Sequence, residues 1–234
     1  MKEKITRAFD DIRADDALIR KTAAYLQEQR ESRCGLKRRP RTMRFVAAFA
    51  ASLVLVVGLL GYNIYMTPAA YVSVDVNPSI ELTINRFNTV IGVYAFNAEG
   101  EDILQQNNVT GKRYDDAVAI LMTTMERDGY FTGDALISMT IQADDSAREQ
   151  ALQDTLQQVV TAQTTLPSTA DAEVFPVSAE VRNEAHGCHM SPAKYLAIQE
   201  LLSVDETATL EQYSGESIRQ IRQRTRECQG EHGA

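Results

Sequence analysis

One stretch of the chain contains no charged residue. No Asp, Glu, Lys or Arg occurs from Phe45 to Val74, and the part from Phe45 to Met66 is almost wholly apolar. As a helix, this part would rise about 33 Å, enough to cross a hydrocarbon core of about 30 Å. Core helices of soluble proteins rarely run so long without a charge, and a cleaved signal peptide rarely begins so far along a chain. The stretch therefore predicts one transmembrane helix.

Charge is divided unequally on the two sides of this stretch. Residues 1–44 carry a net charge of +6 and the remainder carries −14, which together give the −8 of the whole chain. Because Lys and Arg are enriched on the cytoplasmic side of membrane helices, we expect a cytoplasmic N-terminus and an extracellular C-terminus at the cell membrane. The basic flank is also suited to contact membrane lipid headgroups. An acidic outer domain argues against direct nucleic-acid binding, because phosphate contacts need clustered cations.

We accordingly divide the chain into a cytoplasmic segment at 1–44, the transmembrane helix at 45–66 and an extracytoplasmic domain at 67–234. Apolar residues of the first segment recur every three or four positions, which predicts one broken amphipathic helix or a helical hairpin, with Asp15 or Asp16 as a cap. So short a segment buries too little surface to be stable alone. Its apolar stripe either binds a groove of a protein partner or lies on the inner membrane surface. The residues predicted to bind the partner are Ile5, Phe9, Ile12, Ile19 and Leu26.

Beyond Pro68 the apolar residues change their period. Alternation predicts strands at 71–77, 80–84, 89–96, 135–142 and 172–181, with turns that include 97–100. Helical spacing predicts helices at 114–127 and 146–161, one starting at Ser191-Pro192 and one opening at 214–216. Strands interleaved with helices indicate an α+β fold, in which one mixed α/β domain has a sheet covered by helices and ends in C-terminal helices.

Two runs of residues resemble a known family. The run YVSVDVNPSIEL at 71–82, followed by Asn85, Val90 and Asn97-x-x-Gly100, resembles the domain just outside the transmembrane helix of anti-sigma-I factors, the RsgI-like family. The run MSPAKYLAIQ at 190–199, with Leu210 and Ser214, is similar to the C-terminal helical part of that domain. The resemblance implies a membrane-bound anti-sigma factor that sequesters an alternative, SigI-type sigma factor and transmits an extracellular signal.

The N-terminal segment departs from the family pattern. The family's sigma-binding domain is larger and contains strands, whereas the segment at residues 1–33 is short and has a helical pattern. Either this branch binds its sigma factor with helices, or it regulates something else. The alternative function is a membrane-tethered extracytoplasmic binding or structural module with no sigma-factor partner.

The resemblance also implies that the Asn77-Pro78 bond cuts itself. Proline has no backbone N–H, which blocks the usual succinimide route, but the Asn77 side-chain nitrogen could attack its own carbonyl and expel the Pro78 nitrogen. Water activated by Asp75 would fit equally well, and an ordinary Asn-Pro-Ser turn is the third interpretation. Cleavage would leave a short stub that an intramembrane protease could accept. Beyond this single-turnover step, the sequence contains no catalytic motif, and we predict neither an enzyme nor a cofactor.

Histidine and cysteine cluster near the C-terminus. These side chains could bind zinc, or the two cysteines could form a disulfide, or they have no special role. The spacing matches no standard zinc finger, so we predict no metal. The residues concerned are His186, Cys188, His189, Cys228 and His232.

Overall fold

A computed structural model describes residues 15–34, 41–131, 136–162 and 171–231. The chain forms two compact units, Met1–Leu59 and Leu60–Ala234. In the first unit, helix α1 spans Asp16–Cys34. Asp15 caps it, because its Oδ1 accepts a hydrogen bond of 3.0 Å from the backbone N–H of Ala17. The predicted cap and the helix after it are therefore present, whereas the part of the predicted helix or hairpin before residue 15 lies outside the described residues.

Helix α2 spans Arg41–Met66 and contains the apolar stretch. Within the described residues, Phe45–Met66 is the one segment long and apolar enough to cross a membrane. Its large apolar side chains are exposed, including Phe45 and Phe49. Such exposure is costly in water but favourable in lipid, as expected for a transmembrane helix.

The second unit is built around a five-stranded sheet with the order β3-β2-β1-β4-β5. Strands β1, β2, β3 and β4 pair antiparallel, whereas β4 and β5 pair parallel. The first strand of the domain is therefore its central strand, with hydrogen-bonded neighbours on both sides. The strands are β1 (Pro68–Asp75), β2 (Ser79–Asn85), β3 (Val90–Ala95), β4 (Leu136–Ala143) and β5 (Asp171–Pro176).

Helices cover both faces of this sheet, which confirms the predicted α+β class. One face carries the apolar side chains of the alternating pattern, such as Val74, Leu82 and Met139, all fully buried. They belong to one core cluster together with residues of α3, α4 and α5. The helices of the domain are α3 (Ala98–Gln106), α4 (Tyr114–Arg127), α5 (Ser146–Ala162), α6 (Ala179–Gly187), α7 (Pro192–Val204), α8 (Leu210–Tyr213) and α9 (Ile218–Glu231).

The opposite face is polar and buried as well. It carries Ser73 and Asp75 of β1, Glu81 of β2, and Ser138 and Thr140 of β4, none more than 3% exposed. Arg182 and His186 of α6 bind Glu81, and Ser191, the N-cap of α7, binds Asp75. A second, smaller apolar cluster joins α7 to α9 and lies against the sheet residues Leu136 and Phe175.

Two predicted elements were wrong. Residues 97–100 were expected as a turn, but Asn97 is the N-cap of α3, its side chain accepting from Gly100 N. The strand expected at 172–181 ends at Pro176 because proline cannot donate to the ladder, and Ser178 then caps α6. Smaller shifts occur where β1 ends at Asp75 rather than at residue 77 and where the last helix begins at Ile218. Helix α4 lies at 114–127 as predicted.

Candidate functional site

The loop between β1 and β2 contains the Asn77-Pro78 bond. Asp75, the last residue of β1, pairs with Ser79, the first residue of β2. Between them, Val76 N–H donates a hydrogen bond of 2.9 Å to Pro78 O. Asn77 has a φ of 71°, in the left-handed region. Among residues other than glycine, asparagine tolerates this conformation best. The bond predicted to break therefore lies in a tight, conformationally unusual turn.

The side chain of Asn97 holds this turn. Its Oδ1 accepts hydrogen bonds of 3.0 Å from the backbone N–H groups of Ser79 and Gly100. Its Nδ2 donates a hydrogen bond of 3.0 Å to Asn77 Oδ1. One amide group thus caps α3, anchors the start of β2 and fixes the orientation of the Asn77 side chain.

Gly100 lets α3 approach the turn closely. A Cβ atom at this position would lie 2.6 Å from the backbone oxygen of Ser79, closer than real carbon and oxygen atoms come. That same oxygen accepts a hydrogen bond from Phe96 N–H. The Asn97-x-x-Gly100 spacing noted in the sequence therefore has a structural reason: the asparagine binds the turn and the glycine makes room for it.

Asp75 is a buried carboxyl two residues before Asn77. Burial is the largest effect on this group and raises the pKa of Asp75; the Lys194 cation, the Ser191 hydroxyl and the Asn77 backbone N–H act in the opposite direction. Ser191 Oγ donates a hydrogen bond to Asp75 Oδ2, and Lys194 Nζ donates one of 3.4 Å to Ser214 O. The N-terminus of α7 is thereby joined to the strand that leads into the turn.

The structure brings together residues that are distant in the sequence. Asn77, Pro78 and Asp75 were sequence candidates for this site, whereas Asn97, Ser191 and Lys194 were not predicted to belong to it. The signal that could have found them is their position in the two runs that carry the family resemblance. Chemically, the turn holds the side-chain amide of Asn77 by a hydrogen bond from Asn97, on the residue whose backbone carbonyl is bonded to the Pro78 nitrogen.

A second polar cluster lies further along the same face of the sheet. Glu81, almost fully buried, accepts hydrogen bonds of 2.5 and 3.0 Å from the Arg182 guanidinium and one of 3.2 Å from Ser73 Oγ. The guanidinium carbon lies 3.4 Å from the centre of the Tyr71 ring, a cation–π contact. Sequence reasoning missed this cluster, in which α6 binds both β1 and β2.

The histidine and cysteine candidates do not converge. His186 Nε2 lies 3.0 Å from Glu81 Oε1, and its ring packs against Tyr94 and Phe96. Cys188 is an exposed thiol not joined to Cys228, whose Sγ lies 3.7 Å from Asp205 Oδ2. Among the described residues no three His, Cys, Asp or Glu side chains are placed to hold a metal ion.

Of the two remaining histidines, one lies within the described residues and the other does not. His189 has a left-handed φ of 55° after the end of α6, and His232 lies outside the described residues. The zinc and disulfide alternatives therefore gain no geometric support from the parts of the chain that the structure describes.

The predicted partner-binding stripe is described only in part. Ile5, Phe9 and Ile12 lie outside the described residues. Ile19 and Leu26, on α1, are 54% and 61% exposed. Since they are seven residues apart on a helix, they lie on one face and form exposed apolar surface there.

Comparison with known proteins matches the folded domain. The family described as anti-sigma factor RsgI-like central domain matches residues 69–200. The chain is 29% identical to the anti-sigma-I factor RsgI7 of Acetivibrio thermocellus over 77% of its own length and 34% of that protein. It is 35% identical to RsgI9 of the same organism, over 41% of this chain and 15% of the relative.

A third relative is the anti-sigma-I factor RsgI of Bacillus anthracis, 30% identical over 38% of this chain and 21% of that protein. The chain thus spans about a third or less of the length of these curated relatives. The family match over residues 69–200 contains the Asn77 turn, Asn97 and the start of α7.

Proposed function

The chain belongs to the RsgI-like anti-sigma factor family, and on that basis we propose that it is a membrane-bound anti-sigma factor. The family match over 69–200 is the observation that carries the proposal, and a helix able to cross a membrane directly precedes it. The three relatives named above are described as anti-sigma-I factors. The protein would sequester an alternative, SigI-type sigma factor in the cytoplasm and transmit a signal received outside.

The basic flank before Phe45 supports a cytoplasmic N-terminus. The N-terminal segment then contacts the sigma factor, with Ile19 and Leu26 on the exposed apolar face of α1. An amphipathic helix that binds a groove buries such a face against its partner. Ile5, Phe9 and Ile12 complete the proposed stripe in the sequence.

The full chain, co-expressed with sigma factors of the same genome, tests this role. We expect it to capture one sigma factor, and Ile19→Ser with Leu26→Ser to lose that capture. The matched control is Lys21→Ser with Glu28→Ser, which changes two residues at the same spacing on the opposite face and leaves the net charge unchanged. Capture of none of the sigma factors would favour the membrane-tethered module with no sigma partner.

We further propose that the Asn77-Pro78 bond cleaves itself. Asn77 Nδ2 attacks the backbone carbonyl carbon of Asn77; the Nδ2–C bond forms, and the bond from that carbon to the Pro78 nitrogen breaks. Nδ2 loses one proton and the proline nitrogen gains one. The hydrogen bond from Asn97 to Asn77 Oδ1 supports this route, because it stabilises negative charge on the amide as the proton leaves.

Water activated by Asp75 is the competing route, and the products distinguish the two. Attack by the side chain leaves a C-terminal succinimide on Asn77, whereas attack by water leaves an ordinary Asn77 carboxylate. The N-terminal fragment produced by side-chain attack is therefore lighter by one water than the fragment produced by hydrolysis. Mass spectrometry of freshly cleaved protein resolves this difference.

After cleavage, β1 would remain in the sheet although no covalent bond joins it to β2. It is hydrogen-bonded to β2 and β4, and its apolar side chains are fully buried. On the polar face, three residues of β1 each have a partner from the rest of the domain. These pairs are Tyr71 with Arg182, Ser73 with Glu81 and Asp75 with Ser191.

Such a strand transmits mechanical force. Pulling the domain away from the membrane would shear β1 out of the sheet and leave a stub from Thr67 to Asn77 outside the membrane. A short stub of this kind is a suitable substrate for an intramembrane protease, which would then release the cytoplasmic segment with its sigma factor.

Two tags, one at each end of the full chain, test cleavage on a denaturing gel. We expect fragments ending at Asn77 and starting at Pro78, and their loss in Asn77→Ala. Asn88→Ala is the control, because Asn88 is also an asparagine with positive φ in a hairpin turn but precedes threonine. Fragments that persist in Asn77→Ala would remove Asn77 from the mechanism.

A further inference from the structure

The end of the apolar helix is bound to the turn between β2 and β3. Asn85, fully buried at the end of β2, donates a hydrogen bond of 2.9 Å from Nδ2 to the backbone oxygen of Tyr65 in α2. Its Oδ1 accepts hydrogen bonds of 2.9 and 3.0 Å from the backbone N–H groups of Phe87 and Thr89. One side chain thus connects the last turn of α2 with the turn at 86–88.

The rest of the domain fixes this turn from behind. Arg148 of α5 donates hydrogen bonds of 2.8 Å to Asn85 O and 2.9 Å to Asn88 Oδ1. The ring of Phe87 stacks on that of Tyr65, with centroids 6.2 Å apart and an interplanar angle of 22°. Phe87 is therefore held beside the end of the apolar helix.

Yet Phe87 is 58% exposed, although large aromatic side chains in this domain are otherwise mostly packed. The apolar segment ends at Met66, one residue after Tyr65, so the stacked pair lies at the level where the helix leaves the hydrocarbon. Aromatic rings are favoured at this level of a bilayer, where one part of the surroundings is apolar and another is wet.

We propose that the turn at 86–88 docks on the outer surface of the lipid bilayer, with the Phe87 side chain in the headgroup region. The inference rests on the proposed function in one respect, namely that α2 crosses the membrane. The occupant of this exposed surface is lipid, because the exposed Phe87 ring stacks on Tyr65 at the end of the helix that the lipid surrounds.

Charge contributes little to this docking. Arg86 is exposed on the turn, but Asp144 lies at the same end of the domain, where its N–H donates to Ala69 O. Cations and carboxylates are thus both present there. Ionic strength screens exposed charges and leaves the burial of an aromatic ring almost unchanged, so docking should be insensitive to salt.

Docking would have a consequence for signalling. The turn belongs to the part of the chain after Pro78, whereas Tyr65 belongs to the part before Asn77. The Asn85–Tyr65 hydrogen bond, the ring stack and the lipid contact would therefore help to retain the C-terminal fragment at the membrane after cleavage, in addition to the pairing of β1.

The chain contains no tryptophan, so a single introduced tryptophan reports its own surroundings. Phe87→Trp, in the full chain reconstituted in bilayers with brominated acyl chains, should be quenched by the lipid and protected from acrylamide, at low and high salt alike. Tyr94→Trp is the matched control. Tyr94 is 42% exposed but lies about 13 Å along β3 from Val90, the residue where β3 begins after the turn. It should show the reverse pattern. Arg86→Trp is a second reporter on the same turn.

Tyr62→Trp, within the apolar segment, tests the premise. If Tyr62→Trp is quenched by brominated lipid and both turn reporters are not, the docking proposal fails while the membrane topology stands. If Tyr62→Trp is not quenched either, the topology and the docking fail together. Equal lipid quenching of Tyr94→Trp and Phe87→Trp would also overturn the proposal, because contact would not be specific to the turn.

Discussion

The two faces of the sheet are both buried but are held by different forces. On one face, Leu82 and its neighbours pack against α3, α4 and α5 in an apolar core. On the other face, Glu81 is equally buried but is bound by Arg182, His186 and Ser73. Apolar packing is additive and tolerant, whereas buried ionic groups must all keep their partners. Neighbouring residues of one strand thus belong to two kinds of interior.

The polar face should respond most strongly to the loss of one partner. Glu81→Leu leaves the Arg182 guanidinium, whose side chain is 15% exposed, without its carboxylate. We expect the free energy of unfolding to fall by about 4 kcal/mol, the usual cost of breaking a buried ion pair. Chemical denaturation of the full chain in detergent measures the change.

The double variant Glu81→Leu with Arg182→Leu sharpens this test. Because an apolar pair of similar volume can replace a buried ion pair, we expect it to recover most of the lost stability. If the double variant is less stable than Glu81→Leu, the guanidinium contributes mainly through its stacking on Tyr71 rather than through the ion pair.

On the apolar face, one substitution should lower the free energy of unfolding by less, and a second substitution should restore none of the loss. Leu82→Ala, one residue along the same strand, removes a fully buried side chain and should cost about 3 kcal/mol. A second truncation on this face, Ile84→Ala, should add its own cost. Recovery of stability in that double variant would show that the two faces do not differ in the way described.

Sequence patterns predict the first face and not the second. The alternation of Val72, Val74, Leu82 and Ile84 is a local signal, and it correctly located β1, β2 and the apolar core. The polar residues of these strands alternate in the same way whether their face is exposed to water or covered by helices. The alternation therefore does not predict that this face is buried. Glu81 and Arg182 are 101 residues apart, so no local pattern connects them.

The missed helices have a related cause. Asn97 and Ser178 belong to residue types that form turns and also cap helices, and the sequence signal is the same in both cases. Their tertiary contacts decided the outcome, through the approach of Gly100 to β2 and the binding of Arg182 to Glu81. The Asn77-Pro78 turn was located correctly, but the contacts that hold it were not.

Asp75 gives the polar face a pH dependence. Burial raises the pKa of Asp75 in the folded protein, so the folded state holds this proton more tightly than the unfolded state. Relative to Asp75→Asn, the wild type should therefore be most stable below the ordinary Asp pKa of 3.8. This advantage should be lost as the pH rises through the folded-state pKa. Unfolding free energies of both proteins across this range measure the difference.

Asp128 is the control with the opposite sign. Hydrogen bonds from Arg127 and Gln106 lower the pKa of Asp128, so its contribution is present above the ordinary pKa and is lost as the pH falls. The difference between wild type and Asp128→Asn should therefore grow with pH. A difference for Asp75→Asn that follows the same direction as that for Asp128→Asn would contradict the role assigned to burial.

The smallest expected effect on stability comes from the Asn77 turn. There, the contribution of the Asn97 side-chain oxygen can be tested separately from that of its nitrogen. Asn97→Ala removes the N-cap of α3 and should cost about 1 kcal/mol. Asn97→Asp keeps an oxygen that accepts from Ser79 N and Gly100 N, and aspartate caps helices as well as asparagine does. The stability of Asn97→Asp should therefore stay close to that of the wild type.

What Asn97→Asp loses is the donor to Asn77 Oδ1. If that hydrogen bond stabilises charge on the reacting amide, the rate of cleavage should fall by about a hundredfold, as followed by fragment formation on a gel. A variant that is as stable as the wild type and also cleaves at its rate would reduce Asn97 to a helix cap. A slow but stable variant would instead show that this turn is held for its chemistry, because the fold itself does not require the lost hydrogen bond.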